Sequence, residues 1–321
     1  MMDDLRTHIG RALVFLAIVG AARADEPTSG QSASAATSGI ERLGEEASRA
    51  LAHVYDYDAT IPLEARIVEK SEKDDLVREK IVFRGASGFL VPAYLQFPKS
   101  PAGPYPCVLL LHGWSGSKEN WWQDGNYISG GNVRRALLAA GYAVLALDAQ
   151  CHGDRIAQND FAPVNHYADQ ETAGNPRKGY FTLTDIYIQT TRDYRRAIDY
   201  LETRPQIDKR RIGVVGYSMG GTQTFLLTGV EPRIKAAVAV ATPADKSKWS
   251  LVAPQNFVRG IGDRPWLTIM GRADEMCTVE HARQIQSLIG SKTKDQVFLD
   301  GGHKLPPDYV PHVVGWMQKH L

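Results

Sequence analysis

The chain has 321 residues, 43% of them hydrophobic and 23% charged, with a formal net charge of +1. That length suits one large domain or two small ones, and the composition is ordinary for a globular protein. Lys and Arg are scattered among Asp and Glu, which speaks against a nucleic-acid partner, because that would need a basic stripe or a high pI.

Residues 12–22 (ALVFLAIVGAA) form an uninterrupted apolar run behind Arg6 and Arg11. Ala22 and Ala24 then put small side chains at the minus-three and minus-one positions of a cleavage site. The pattern predicts a secretory signal peptide over residues 1–24 and a periplasmic or secreted mature protein. Asp3 and Asp4 offset the usual positive start of such a leader. The run is shorter than the roughly 20 apolar residues a bilayer span needs. No other segment is long and apolar enough, so no integral membrane span is expected after leader cleavage. Residues 25–39 are rich in Ser, Ala, Gly and Thr and read as flexible. Residues 40–60 look partly helical, and the folded domain is expected over residues 61–321.

From there the chain alternates strand and helix. Residues 80–83 and 89–97 read as an antiparallel pair around Gly85 and Gly88. Short apolar runs at 108–111, 143–147, 212–215, 236–240, 266–270 and 297–299 end in turn residues, as strands buried on both faces do. Helical periodicity marks 133–140, closed by Gly141, and also 184–201, 279–289 and 309–321. The expected fold class is therefore α/β, a mostly parallel sheet with helices on both faces. One connection, 154–181, is long for a compact domain. It suits the rim of a site or a plain surface excursion equally well.

The sharpest motif is Gly216-Tyr217-Ser218-Met219-Gly220-Gly221, between an apolar strand and a helix-compatible run. A serine on a tight strand-to-helix turn presents its hydroxyl, and glycines on either side let the backbone pass. A hydroxyl becomes nucleophilic when a base takes its proton. His303, after the last predicted strand and the turn Asp300-Gly301-Gly302, is the candidate base. His112, in the turn after 108–111, suits shaping an oxyanion loop better. The base needs a carboxylate to orient it. Asp245 and Asp274 each follow a strand ending at the same sheet edge, and the order Ser–Asp–His admits either. The oxyanion requires two donors: the Met219 N–H beside the nucleophile, and the Trp114 N–H in the turn His112-Gly113-Trp114-Ser115-Gly116. Trp121, Trp122 and Tyr217 are the candidate substrate contacts.

Together these residues resemble the α/β-hydrolase superfamily and, within it, the dienelactone-hydrolase-like and acetyl-xylan-esterase-like group. The carriers are His112-Gly113, Asp148-Ala-Gln-Cys-His152-Gly153-Asp-Arg155, Gly216 to Gly221, Gly271-Arg-Ala-Asp274 and Gly301-Gly302-His303. The resemblance implies an eight-stranded sheet of central order 4-3-5-6-7, a Ser218–Asp274–His303 triad, and hydrolysis through an acyl-enzyme without a cofactor or metal. Dienelactone hydrolases proper carry a cysteine where this chain has Ser218, and similar peptidases carry a large propeller for which there is no room here. With that strand order, Cys151 and Cys277 end strands four steps apart, about 19 Å at the usual spacing, beyond disulfide reach. Cys107 reads as a buried small hydrophobe, and no Cys/His cluster has zinc spacing. The expected activity is that of an exported serine hydrolase. Its expected substrate is a carboxylic ester, either a small molecule or an acylated sugar. A secreted peptidase or amidase and a non-catalytic binding module are the alternatives.

Overall fold

The computed structural model describes residues 39–156 and 181–321. The expected leader (1–24), residues 25–38 after it and most of the long connection lie outside these. The described chain runs α1 (Glu45–His53), β1 (Arg66–Lys73), β2 (Leu76–Arg84), β3 (Leu90–Pro98), β4 (Tyr105–Leu111), α2 (Gly130–Ala139), β5 (Ala143–Leu147), α3 (Leu183–Glu202), β6 (Ile207–Tyr217), α4 (Met219–Val230), β7 (Ile234–Val240), α5 (Val258–Ile261), β8 (Trp266–Gly271), α6 (Val279–Leu288), β9 (Lys294–Leu299) and α7 (Tyr309–His320).

The strands form one sheet of order β1-β2-β3-β5-β4-β6-β7-β8-β9. From β5 to β9 all pairings are parallel, and β1, β2 and β3 add on antiparallel. The sheet has nine strands where the resemblance implied eight. The extra one is β1, an edge strand exposed along nearly its whole length. With it counted, the implied central order becomes β5-β4-β6-β7-β8, as observed.

The central strands are continuous apolar runs because both of their faces are covered. In β4, Cys107, Leu109 and Leu111 face one core and Val108 and Leu110 the other. The first core packs against α1, α3, α4 and α6, the second against α2 and α7. Each fully buried Leu or Val contributes roughly 1.5–3 kcal/mol to stability. Helix starts and stops follow local chemistry. Thr182 caps α3 in a reciprocal box with Asp185. Gly141, at φ +86°, takes the left-handed conformation just past α2. Leu51 in α1 and the following Tyr55 are buried, and Tyr55 Oη donates to the Leu251 carbonyl at 2.8 Å, so the partly helical segment is sewn onto the domain. Among the described residues no helix is long and apolar enough to cross a membrane. Cys107, Cys151 and Cys277 are all buried. Burial pushes the Cys277 thiol up to about 12, with Asp274 adding to the effect.

Candidate active site

The parallel strands bring the loops after β4, β6, β8 and β9 to one sheet edge. Ser218 sits between β6 and α4 with φ +58° and ψ −115°, a strained backbone for a residue with a side chain. Close packing holds it there. A Cβ on Gly216 would overlap the Gly220 carbonyl, and one on Gly220 would overlap that of Leu111. The Ser218 N–H donates to Val240 O at 2.9 Å. The turn thus aims the hydroxyl out of the sheet while α4 begins at the next residue.

Ser218 Oγ lies 2.7 Å from His303 Nε2. On the other side of the ring, Nδ1 lies 3.0 and 3.1 Å from the two carboxylate oxygens of Asp274. An ionised carboxylate only accepts, so Nδ1 carries the proton and Nε2 presents its lone pair to the serine. Asp274 is itself buried and accepts from the Met276 N–H at 2.9 Å. Asp245, the alternative left open by spacing, instead accepts from Ser247 N at 2.9 Å. The His303 ring is bonded to Asp274 and not to Asp245. The backbone explains the choice. A Cβ on Gly271 would strike the carbonyls of Gly301 and Gly302, so glycine lets the β8 and β9 loops lie against each other. Ala273 N then donates to Gly301 O at 2.9 Å.

The loop after β4 runs beside the serine, where a Cβ on Gly113 would stand 3.5 Å from Ser218 Cβ. His112 is buried beneath it. Its Nε2 accepts from the Ala149 N–H at 3.0 Å and its Nδ1 lies 2.8 Å from the Gly113 carbonyl. Further along, Lys118 fixes the loop to the end of β5. Its N–H and Nζ donate to the two oxygens of Asp148, each at 2.8 Å, and Nζ also reaches Asp154 at 2.9 Å. Burial alone would lower the Lys118 pKa, but the two carboxylates more than offset it and the net shift is upward. Arg155 completes the clamp through Asp193 at 2.8 Å. Asp148, His152, Gly153 and Arg155, known from the sequence only as carriers of a resemblance, therefore act as scaffold.

A cavity of about 260 Å³ opens at Ser218, lined by Gly113, Trp114, Ser115, Gly116, Asn120, Tyr127 and Ile128. Trp114 stands at its edge, edge-on to His152 at 5.0 Å. The expected substrate contacts Trp121, Trp122 and Tyr217 are elsewhere. Trp121 is fully buried in the second core. Trp122 turns away, donating from Nε1 to Gln96 at 3.0 Å and packing on Tyr94 at 4.9 Å. Tyr217 is fully buried, and its hydroxyl donates to the His303 carbonyl and accepts from the Leu305 N–H, both at 2.8 Å. It braces the backbone of the His303 loop and does not line the cavity. Burial raises its pKa well above the ordinary tyrosine value, so it stays neutral. Tyr127, half exposed and 6.1 Å from the His303 ring, lines the cavity together with Trp114. It lies in a loop with no periodicity or motif to mark it. A larger cleft of about 640 Å³ borders Pro98, Tyr105 and Gly141 at the opposite end of the parallel strands, away from this cluster.

This fold and this serine, histidine and carboxylate arrangement define a class of hydrolase, and residues 108–316 match the Alpha/beta hydrolase family. The chain belongs to that family. It is 25% identical to the Bacillus subtilis (strain 168) protein YtaP, whose name makes it a hydrolase, over 250 residues covering 70% of this chain and 79% of that one. It is 27% identical to an Escherichia coli (strain K12) protein provisionally named carboxymethylenebutenolidase, that is, dienelactone hydrolase, with coverage of 79% and 86%. Among solved structures, acetyl xylan esterase 1 from Thermoanaerobacterium sp. JW/SL YS485 superposes with a TM-score of 0.67 at 18% identity, covering 88% of this chain and 95% of that one. At that identity the likeness is one of fold.

Proposed function

We propose that the protein is an exported serine esterase, a carboxylesterase or sugar deacetylase, working through an acyl-enzyme on Ser218. The observation that carries the reading is the unbroken chain Ser218 Oγ–His303–Asp274, at 2.7 and 3.0 Å. Ser218 Oγ attacks the ester carbonyl as His303 Nε2 takes its proton, and the carbonyl π pair moves onto oxygen. The N–H groups of Trp114 and Met219 hold that oxyanion. Collapse expels the alcohol, which receives the proton from His303. Water, deprotonated by the same nitrogen, then releases the acid and restores Ser218. Asp274 keeps the ring in the productive tautomer and stabilises its charged form.

The names of two relatives, a cutinase of Thermobifida fusca at 25% identity and the Escherichia coli protein above, support ester chemistry. In the full chain, residues 1–24 act as a leader cleaved before Asp25, residues 25–60 lead into the domain, and residues 61–321 form it. Labelling by a fluorophosphonate, lost in Ser218→Ala, tests the nucleophile. Rates across p-nitrophenyl esters and acetylated sugars then define the acyl and alcohol groups. Absence of labelling in the folded protein would overturn the reading, and an intact Met1 on exported protein would overturn the leader.

A further inference from the structure

The loop that flanks Ser218 contains a buried histidine outside the serine relay. A backbone N–H only donates, so the Ala149 N–H at 3.0 Å fixes His112 Nε2 as an acceptor. In the neutral ring the proton then sits on Nδ1 and is donated to the Gly113 carbonyl at 2.8 Å. The same carbonyl accepts a second bond, from Gly116 N at 3.1 Å. The Gly113 carbonyl and the Trp114 N–H belong to one planar trans peptide and point in opposite directions. Two donors that hold the carbonyl therefore also set the direction of the N–H. His112 is 2% exposed and lies under the loop, where it cannot touch a substrate. Burial lowers its pKa, so the ring stays neutral and keeps the tautomer that this arrangement needs.

We propose that His112 is a positioning residue for turnover, one that clamps the Gly113–Trp114 peptide so that the Trp114 N–H meets the developing oxyanion. The inference rests on the esterase reading above. The β5 turn takes part through Ala149, which holds the far nitrogen, while Asp148 fixes the same loop at Lys118. The loop is thus fastened at two points to a strand that contributes nothing to the serine relay. His112 acts on a single peptide plane, whereas the Lys118 contact acts on the loop as a whole.

The test compares two variants that each lose one of the two bonds. His112→Asn keeps an N–H near the position of Nδ1 and still serves the Gly113 carbonyl, but releases Ala149. His112→Gln keeps an acceptor near Nε2 and still serves Ala149, but releases Gly113. Each gives up one buried bond, so melting temperatures should fall alike. Turnover should not. For Gln, kcat is expected to drop about 10- to 100-fold with KM within about threefold, short of the 10²–10³ seen when an oxyanion donor is removed outright. For Asn, kcat should stay within about fivefold of the parent. Affinity for a trifluoromethyl ketone, which forms the tetrahedral adduct, should fall in proportion to kcat/KM across the set. Equal losses in the two variants, or losses that track melting temperature alone, would overturn the role of His112 and leave the esterase reading standing. Undiminished turnover in Ser218→Ala would instead overturn both.

Discussion

Tyr217→Phe removes one oxygen and leaves the ring packing in place. That ring stacks edge-on against Tyr127 at 5.9 Å and Tyr309 at 5.8 Å, contacts that need no hydroxyl. The oxygen, however, serves two buried backbone groups on the loop that presents His303. It donates to the carbonyl of His303 itself and accepts from the N–H of Leu305. Without it, both are left unpaired where water does not reach. Each such orphan costs about 1–3 kcal/mol. Partial relaxation of the loop brings the sum to about 2–4 kcal/mol, or roughly 4–16 °C in melting temperature for a domain of this size. The activity loss comes from a different source. Freed at both ends, the loop lets the imidazole drift relative to Ser218, and a displacement of about 1 Å can cost 10²-fold in rate. Expected is a kcat reduced about 10- to 100-fold, with KM little changed. Tyr194→Phe is the comparator. Its buried hydroxyl donates to Leu110 O at 2.8 Å, on a strand away from the base. It should lose about 1–2 kcal/mol and less than twofold in kcat. Urea denaturation and ester hydrolysis on the same preparations give both numbers. The reasoning fails if Tyr217→Phe stays within about 0.5 kcal/mol of the parent, or if both variants lose kcat equally.

Asp274→Asn should cut kcat by roughly 10³- to 10⁴-fold through the wrong imidazole tautomer, whereas Asp245→Asn should cost little, and ester kinetics on the pair would expose the reverse pattern. Ser218→Ala should lower turnover by about five or more orders of magnitude while thermal melting stays cooperative. Lys118→Met leaves the Asp148 carboxylate buried without its cation and should cost about 3–5 kcal/mol in denaturant titrations; an unchanged midpoint would contradict the assigned clamp. His152 is buried, and that burial pulls its pKa down to about 3. The unfolded chain therefore binds a proton that the folded one refuses. Stability should be full above about pH 6.5 and fall as pH drops toward 3, by up to about 1.4 kcal/mol per unit for this one group. In His152→Gln, melting curves across that window should flatten by that amount. An identical slope in both proteins would show that His152 does not titrate as described.

The sequence reveals those parts of the fold in which burial dictates composition. Strands β4 to β8 are covered on both faces, so their apolar runs announce them. Strand β1 reads RIVEKSEK and is exposed almost throughout. Backbone pairing to β2 holds it, and that pairing leaves no apolar pattern to find. The Ser218 turn was legible because glycine at 216 and 220 is a steric necessity of the elbow. The partner carboxylate was not fixed by spacing, since Asp245 and Asp274 occupy equivalent places after neighbouring strands. What separates them is the close approach of the Gly271 turn to Gly301 and Gly302, a relation between distant segments. The aromatic contacts are hidden from the sequence for a related reason. Residue type gives no direction, and Trp121, Trp122 and Tyr217 point into packing while Tyr127 faces the cavity.

The order of these elements along the chain also sets a timetable. Ser218 and its elbow are made 85 residues before His303. At synthesis rates of about 5–20 residues per second, the serine leaves the ribosome tunnel roughly 4–17 s ahead of its base. Through that interval β6, β7 and then β8 can pair, while the loop after β9 does not yet exist. The hydroxyl is then as inert as any other serine. On the proposed relay, reactivity arises only when the last strand docks, so an incomplete chain is not yet a serine esterase.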